Sequence, residues 1–562
     1  VASIFSVDAD RKAGFRTDSH VTAQAINTTT ANTTPPTIFK KVFIAISRNE
    51  RFRAFYGTIR KMLLSIVLLA ATLQANVVSV TQLYEQEYAK QLVPMLSEVL
   101  RFPTAQFDTE GHDAQKAWLA KTARDLGFVY RDAGLIDEIE LPGPPAAPVL
   151  GLMVHGDVVP VDADEWSFPP FSGKADETYV YGRGSADDKG PLVQALLAMK
   201  SLERSGIPRT HTVRLLVGSD EETTNKDVTE YLKTHQAPDY TLVLDSAFPV
   251  IAGEKAWNSF SVTTDIKAAR PGNAKPYDVV FLEAGLATSI VPERAELKLH
   301  WKSGTPAWEP VMAAIKNAPR PPDTRIAMQA DADTLKVVAY GRSAHAGVNL
   351  EGGRNALVAL ARAFEGKLPS GGADDLLAFA RTAGRDLYGT GLGITDHDPL
   401  WGRYAVNVAT IKPDADNPKL STLTINIRRI PPRTGPQLKA KMEQFVAAFN
   451  KRTSASLTTT GFYDDEPLGF DPHAKLIVRL LSDYAAATGE KNPKPSISGG
   501  GTYAKRLPNA IAFGMWFPDK PYPGHDVDEK NPIADLQKGT KVLIYALVDI
   551  ATGGRVEGAF KP

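Results

Sequence analysis

The chain has 562 residues, long enough for two or more domains with a substantial core. Apolar residues make up 43% and charged residues 23%, the proportions of an ordinary soluble globular protein. Lysine plus arginine balance aspartate plus glutamate at 64 each, which leaves no electrostatic footprint for nucleic acid, and the absence of cysteine removes disulfides and thiolate chemistry.

In chain order, residues 26–38 (INTTTANTTPPTI) are polar and threonine-rich, with no periodic apolar face. The stretch RKMLLSIVLLAATLQANVV, from Arg60, has a basic start, an apolar run from Met62 to Leu73, and a small residue, Ala75, where a signal peptidase would cut. The run falls short of the roughly 20 apolar residues of a membrane helix. Its basic front and polar sequel favour export over a buried core helix. The expectation is a disordered upstream extension over 1–61, with Met62 a natural start and Val1 an unusual one, then a signal peptide over 62–75. The mature chain would be secreted or periplasmic, without a membrane span, and nothing before residue 76 would contribute to the fold.

Beyond residue 80 the periodicity becomes regular. TQLYEQEYAKQLVPMLSEVLRF (81–102) and DAQKAWLAKTARDLGF (113–128) show apolar residues at helical spacing. APVLGLMV (147–154) reads as a strand and GPLVQALLAMKSLERSG (190–206) as a helix closed by glycine. TVRLLV (212–217), the helical KDVTEYLKTH (226–235) and the strand-like YTLVLD (240–245) continue the alternation. This order predicts an α/β fold: a mostly parallel sheet flanked by helices.

After Lys255 the texture changes. Strand-like SFSVTTDI, RAELKLH, TLKVVAYGR (334–342) and STLTINIRR (421–429) mix with helical GGRNALVALARAFEG (352–366) and PQLKAKMEQFVAAFNK (436–451). An inserted α+β lid domain over 258–460 is expected, between a first α/β part at 76–257 and a second at 461–562. The α/β pattern resumes with helices at 474–489 and 538–551 around the strand NAIAFGMWF (509–517). No repeat of fixed period and no dinucleotide fingerprint occurs.

Ligands of open α/β sheets bind beyond the carboxyl ends of the strands, so the residues following each strand matter most. APVLGLMV is followed by His155-Gly156-Asp157, and residues two apart on extended chain share a face. TVRLLV is followed by Asp220, Glu221 and Glu222, and YTLVL by Asp245. NAIAFGMWF leads through a proline- and glycine-rich loop to His525 in YPGHDVDE, and YVYGRGSADDKGP brings Asp187 and Asp188 to a helix start. A lone histidine after a strand is usually structural, and adjacent aspartates usually cap a helix. Their convergence argues otherwise. Two histidines with several carboxylates suit zinc, with manganese or cobalt as alternatives, better than calcium. The carboxylates are too many for one ion, and two metals roughly 3.5–4 Å apart would neutralise them.

The pieces HGDVVP, WSFPPFSG, YGRGSADDKGP, GSDEE, LDSAFPVIAGEK, GRSAHA, SGGGTYA and GHDVDE occur in this order between about residues 80 and 550. On these motifs the chain resembles the co-catalytic dizinc peptidases of the aminoacylase, glutamate carboxypeptidase and desuccinylase type. FPVIAGEK, GGGTYA and DEETTNKD look most like the bacterial broad-specificity dipeptidases that act on Xaa-His or carnosine-type substrates. The resemblance implies that His155 and Asp245 bind one zinc, Glu222 and His525 the other, and Asp187 bridges them. It implies Glu221 as general base, Asp157 hydrogen-bonded to His155, His345 as oxyanion donor and Arg428 as clamp for the substrate carboxylate, with Arg429 the neighbour that could exchange roles. Gly500, Gly501 and Thr502 of SGGGTYA would offer backbone N–H groups to substrate. The implied activity is hydrolysis of dipeptides or short peptides with a free carboxylate. A monomer is favoured over a dimer because the lid is long.

The chain departs from that pattern at Ser289 in TSIVPERA, where the dipeptidases usually carry asparagine, so the substrate range is open. His397 reads as structural or solvent-exposed. One rival is an amidohydrolase removing an N-acyl group from amino acids; another is a non-catalytic binding module, which the intact set of acidic and imidazole residues disfavours.

Overall fold

The computed structural model describes residues 71–562 except Phe107, Pro523 and Pro562. The expected extension over 1–61 and residues 62–70 of the expected signal peptide lie outside the described residues. Residues 73–83 are helical; Leu73 packs against the first hydrophobic core, and Val77 and Val80 are buried in it. Packing thus begins ahead of the expected start at residue 76.

Burial along the strands explains the first sheet. In Val149–His155, Leu150, Leu152 and Val154 enter one core while Met153 enters another, and in Thr212–Gly218 Val213, Leu215 and Val217 part from Leu216 in the same way. Apolar residues on both faces require cover on both. The strand order is Val129–Asp132, Ile136–Leu141, Thr212–Gly218, Val149–His155, Tyr240–Val243, Ala510–Ala512. The last four run parallel, and the first two form an antiparallel hairpin on the edge. Helix Lys189–Arg204 is buried almost throughout because it lies between the sheet and the helix Ile533–Gly553.

The segment 81–102, expected as one helix, tightens and widens along its length: a π-type turn at Tyr84–Tyr88, a 3₁₀ turn at Ala89–Gln91, then α-helix at Leu92–Val99. The expected strand 509–517 splits into Ala510–Ala512 and Met515–Trp516. Between them Gly514 has φ +75°, and a Cβ there would fall 2.4 Å from the Phe248 ring.

The lid carries its own core, drawn from Phe260 to Leu457. Its eight strands pair antiparallel throughout, in the order Arg325–Asp331, Thr334–Tyr340, Arg294–Trp301, Tyr277–Ala284, Ala405–Pro413, Leu420–Arg429, Ala256–Asp265, Thr458–Asp465. Ala256–Asp265 alternates buried and half-buried residues, as a sheet with one covered face requires. Helices Ala356–Ala363, Gly372–Ala383 and Gly435–Thr453 contribute to this core. The first and last of these strands along the chain therefore begin at Ala256 and end at Asp465, each a few residues outside the expected lid.

Candidate active site

At the carboxyl ends of the parallel strands, His155 is the final residue of its strand, Asp245 follows Tyr240–Val243, and Glu221 and Glu222 follow Thr212–Gly218. Asp187 and Asp188 immediately precede helix Lys189–Arg204, and His525 lies in the loop after Met515–Trp516. Strand polarity gathers these groups. His155 Nε2 is 2.9 Å from Asp187 Oδ1 and 3.9 Å from Asp245 Oδ2. His525 Nε2 is 2.9 Å from Glu222 Oε1 and 3.3 Å from Asp187 Oδ2. Asp187 stands between the two imidazoles, and the Tyr522 hydroxyl donates to its second oxygen.

Asp157 bonds His155 as expected, but through a different oxygen. His155 Nδ1 lies 2.9 Å from the Asp157 carbonyl but 3.5 Å from its carboxylate. The carboxylate instead accepts the backbone N–H of Glu221 at 3.2 Å and of Glu222 at 3.0 Å. Two converging backbone donors draw it towards the glutamate loop, so Asp157 fixes the histidine chiefly through its carbonyl and the glutamates through its side chain.

The electrostatics record crowding of negative charge. Burial alone would raise the Asp187 carboxyl, but the imidazoles of His155 and His525 outweigh it and hold it well below the usual range. Burial pushes Asp188, Glu221 and Asp245 well above theirs, with neighbouring carboxylates adding to the rise and His155 opposing it. Burial disfavours the charged imidazoles, yet the facing carboxylates raise His155 well above its ordinary value and His525 to about 10. Groups this crowded need either protons or cations.

The donor set fits cations. His155, Asp188 and Asp245 offer ligand atoms within 4.8 Å of one another, as do His155, Asp187 and Glu222. Asp188 Oδ1 and His525 Nδ1 are buried without a hydrogen-bond partner among the described residues. With no thiolate available, nitrogen and oxygen donors of this kind suit a hard or borderline divalent ion. Asp188 was not among the expected ligands; the sequence marks it as a helix cap, but its side chain makes no capping bond.

The lid supplies the opposite wall. His345 Nδ1 accepts the N–H groups of Gly347 (3.1 Å) and Val348 (2.9 Å), which places the proton of the neutral ring on Nε2. Burial, with the His525 and Arg428 charges, holds this imidazole well below its usual pKa. Its ring centroid is 4.6 Å from that of His525. Arg428 is buried, its Nε bonded to Asn426 Oδ1 at 2.9 Å; burial lowers it to about 9 against the pull of Glu221, Asp465 and Glu254. Arg429 is fully engaged with Asn258, Asp464, Glu466 and the Arg433 carbonyl. The geometry separates the two arginines, and Arg428 is the one that lines the cavity.

That cavity holds about 360 Å³, with Glu221, Ser289, His345, Arg428, Lys505 and His525 in its wall. A second space of about 570 Å³ shares Glu222, Thr223 and Ala287 with it. The glycine loop departs from expectation. The Gly500 N–H donates to Ser498 Oγ at 3.0 Å and the Thr502 N–H to Glu254 Oε2 at 3.0 Å, so neither points to a substrate. Gly501 lines the cavity. A Cβ on neighbouring Gly499 would lie 1.8 Å from the Gly347 carbonyl, so this glycine admits the lid rather than a ligand. His397 is exposed on a two-residue strand, as expected. Sequence reasoning passed over Glu254, Tyr522 and Glu529; each lies in a quoted motif, but none is marked by local pattern.

A family model described as Peptidase family M20/M25/M40 matches residues 151–549. The Bacillus subtilis protein named "Putative dipeptidase YtjP" is 30% identical over 405 residues, covering 72% of this chain and 83% of its own. A Staphylococcus aureus protein with the same kind of name is 25% identical over 478 residues, 83% of this chain and 98% of its own. Human carnosine dipeptidase 1 and the Saccharomyces cerevisiae di-peptidase Dug1p each align with a TM-score of 0.53, at 14% and 15% identity, over 84% of this chain and 98% of theirs. At those identities the structural likeness speaks for the fold alone.

Proposed function

The chain belongs to peptidase family M20/M25/M40 and is a metal-dependent hydrolase, and from that premise we propose that it cleaves dipeptides or short peptides bearing a free carboxylate. The observation that carries this reading is the convergence of His155, Asp187, Glu222, Asp245 and His525 beside Glu221, facing His345 and Arg428 across one cavity. Two zinc ions, with manganese or cobalt as substitutes, would be held by the five convergent residues and would supply Lewis acidity and an acidified water.

The chain's own residues do the rest. Glu221, beside the proposed ligand Glu222 and lining the same cavity as His345 and His525, takes the proton of the attacking water and returns it to the leaving amine. Asp157 holds the glutamate backbone so that Glu221 and Glu222 keep separate tasks. His345 donates from Nε2 to the oxygen that gains charge in the transition state. Arg428 pairs with the substrate carboxylate. The amino-terminal residue then lies beyond Glu222, in the larger space whose wall includes Val158, Val159, Leu286, Asp108 and Glu110.

Export with cleavage near Ala75 is part of the proposal, tested by amino-terminal sequencing of the mature chain. A monomer suffices, because one chain supplies both His345 and His525. The deciding experiment is a panel of free dipeptides, carboxamide-blocked dipeptides and N-acetyl amino acids assayed with the zinc-loaded chain. Turnover of free dipeptides well above both other classes is expected; preference for the N-acetyl amino acids would transfer the site to acyl removal.

A further inference from the structure

The turn that carries His525 contains three more acidic side chains, Asp526, Asp528 and Glu529, with no part in the reaction described above. Glu529 is buried. Its Oε1 accepts the N–H of Ala186 at 2.8 Å and of Asp187 at 3.3 Å; its Oε2 accepts Arg183 Nη1 at 2.6 Å and the Gly184 N–H at 3.2 Å. The Gly182 N–H donates to the Glu529 carbonyl at 2.9 Å. Both carboxylate oxygens are thus directed at the loop that carries Asp187. On the other side of the turn, Asp528 accepts from the Ser167 N–H and hydroxyl, each at 2.7 Å, and the Val527 N–H donates to Ser343 Oγ of the lid at 3.2 Å.

The backbone shows what these bonds hold. His525 and Asp528 have φ of +63° and +60°, the left-handed region that side-chain-bearing residues rarely occupy. Such conformations persist where the surroundings over-determine them. Here the surroundings are the segments around Ser167, Arg183–Asp187 and Ser343, and the result is an imidazole aimed at Glu222 and Asp187.

We propose that Glu529 is a positioning residue for the metal centre: it ties the loop of Asp187 to the turn of His525, so that two ligands 338 positions apart in the numbering (525 − 187) are set in register by bonds made away from the ions. The inference rests on the metal-dependent reading above. A carboxylate suits the place because four donors converge on it, two to each oxygen, and Arg183 balances its buried charge. An amide in its place keeps the volume but turns one acceptor into a donor facing N–H groups.

The test compares zinc-free parent and Glu529→Gln chains, each titrated with zinc chloride by calorimetry after circular dichroism establishes folding. A loss of zinc affinity of about 10- to 100-fold in the folded variant is expected, the range typical when groups supporting metal ligands are removed. An isotherm within twofold of the parent would overturn the proposal while leaving the hydrolase reading in place; a parent that takes up no zinc would sink both. Should the variant fail to fold, amide hydrogen exchange of the zinc-free parent decides. The Gly184, Ala186 and Asp187 amides should be protected without metal, because Glu529 rather than zinc orders them, and free exchange there would overturn the assignment.

Discussion

Across the cavity, the side of the parallel sheet offers Asp187, Glu221, Glu222 and Asp245 with His525, whereas the lid offers a neutral histidine donor and a buried guanidinium. The sheet side is an excess of acid that calls for cations. The lid side is made of hydrogen-bond donors held in place from within the lid, His345 by the N–H groups that its Nδ1 accepts and Arg428 by Asn426. The difference separates two tasks. Damage on the sheet side should appear in metal binding and proton transfer, while damage on the lid side should appear in substrate recognition with metal content intact.

The sharpest break is Glu221→Gln, which keeps the shape but removes the base. A loss in kcat on the order of 10³ is expected, with metal content retained by elemental analysis; near-parental turnover would remove Glu221 from the reaction. Its neighbour provides the contrast, since Glu222→Ala should lower metal occupancy first. On the lid side, His345→Ala should cost about 10² in kcat with little change in metal content or KM. Loss of metal instead would mean that the two walls are not independent. Smaller again is Arg428→Lys, expected to raise KM about tenfold because a point charge replaces a bidentate fork. Arg429→Lys should leave KM alone and lower the thermal midpoint, since Arg429 serves the lid fold.

Much of the sheet side was legible in the sequence because strand ends are local signals: an apolar run stops, and the next polar residue lies at the sheet edge. His155, Glu221, Glu222 and Asp245 could be found that way, and the parallel order followed from alternating strands and helices. The supporting carboxylates were not legible. Glu529 meets Ala186 across 343 positions and Glu254 meets Thr502 across 248, and no local pattern distinguishes such an acid from a solvated one. The edge hairpin Val129–Leu141 was missed for a related reason. Its second strand reads IDEIEL, and three acids on a six-residue strand disguise the buried face. The bond expected between Asp157 and His155 is present, but its atoms were not legible, because only the folded chain shows two N–H groups drawing the carboxylate away and leaving the carbonyl to the imidazole.

That hairpin also bears the smallest effect, which sets buried acids of the two sheets against each other. In the lid, Glu296 lies among Arg294, Lys298 and Lys336. In the catalytic sheet, Glu138 and Glu140 are answered by Arg131 and Arg214. Asp137 is bonded to the Tyr130 hydroxyl at 2.7 Å rather than to a cation, and burial raises its carboxyl to about 6, with Tyr130 and Lys116 opposing the rise. The folded chain therefore holds a proton there more tightly than the unfolded chain. This favours folding fully below about pH 4 and is lost as the pH climbs from about 4 through 6, leaving a buried charge above that range. Asp137→Asn removes the charge and keeps the shape. Its thermal midpoint should exceed the parent's by about 1–2 °C at pH 8, and the two should converge at pH 4, as followed by calorimetry. Equal midpoints at pH 8 would mean that water reaches Asp137. A variant less stable at every pH would mean that the Tyr130 bond, which an amide accepts less strongly, outweighs the cost of burying the charge.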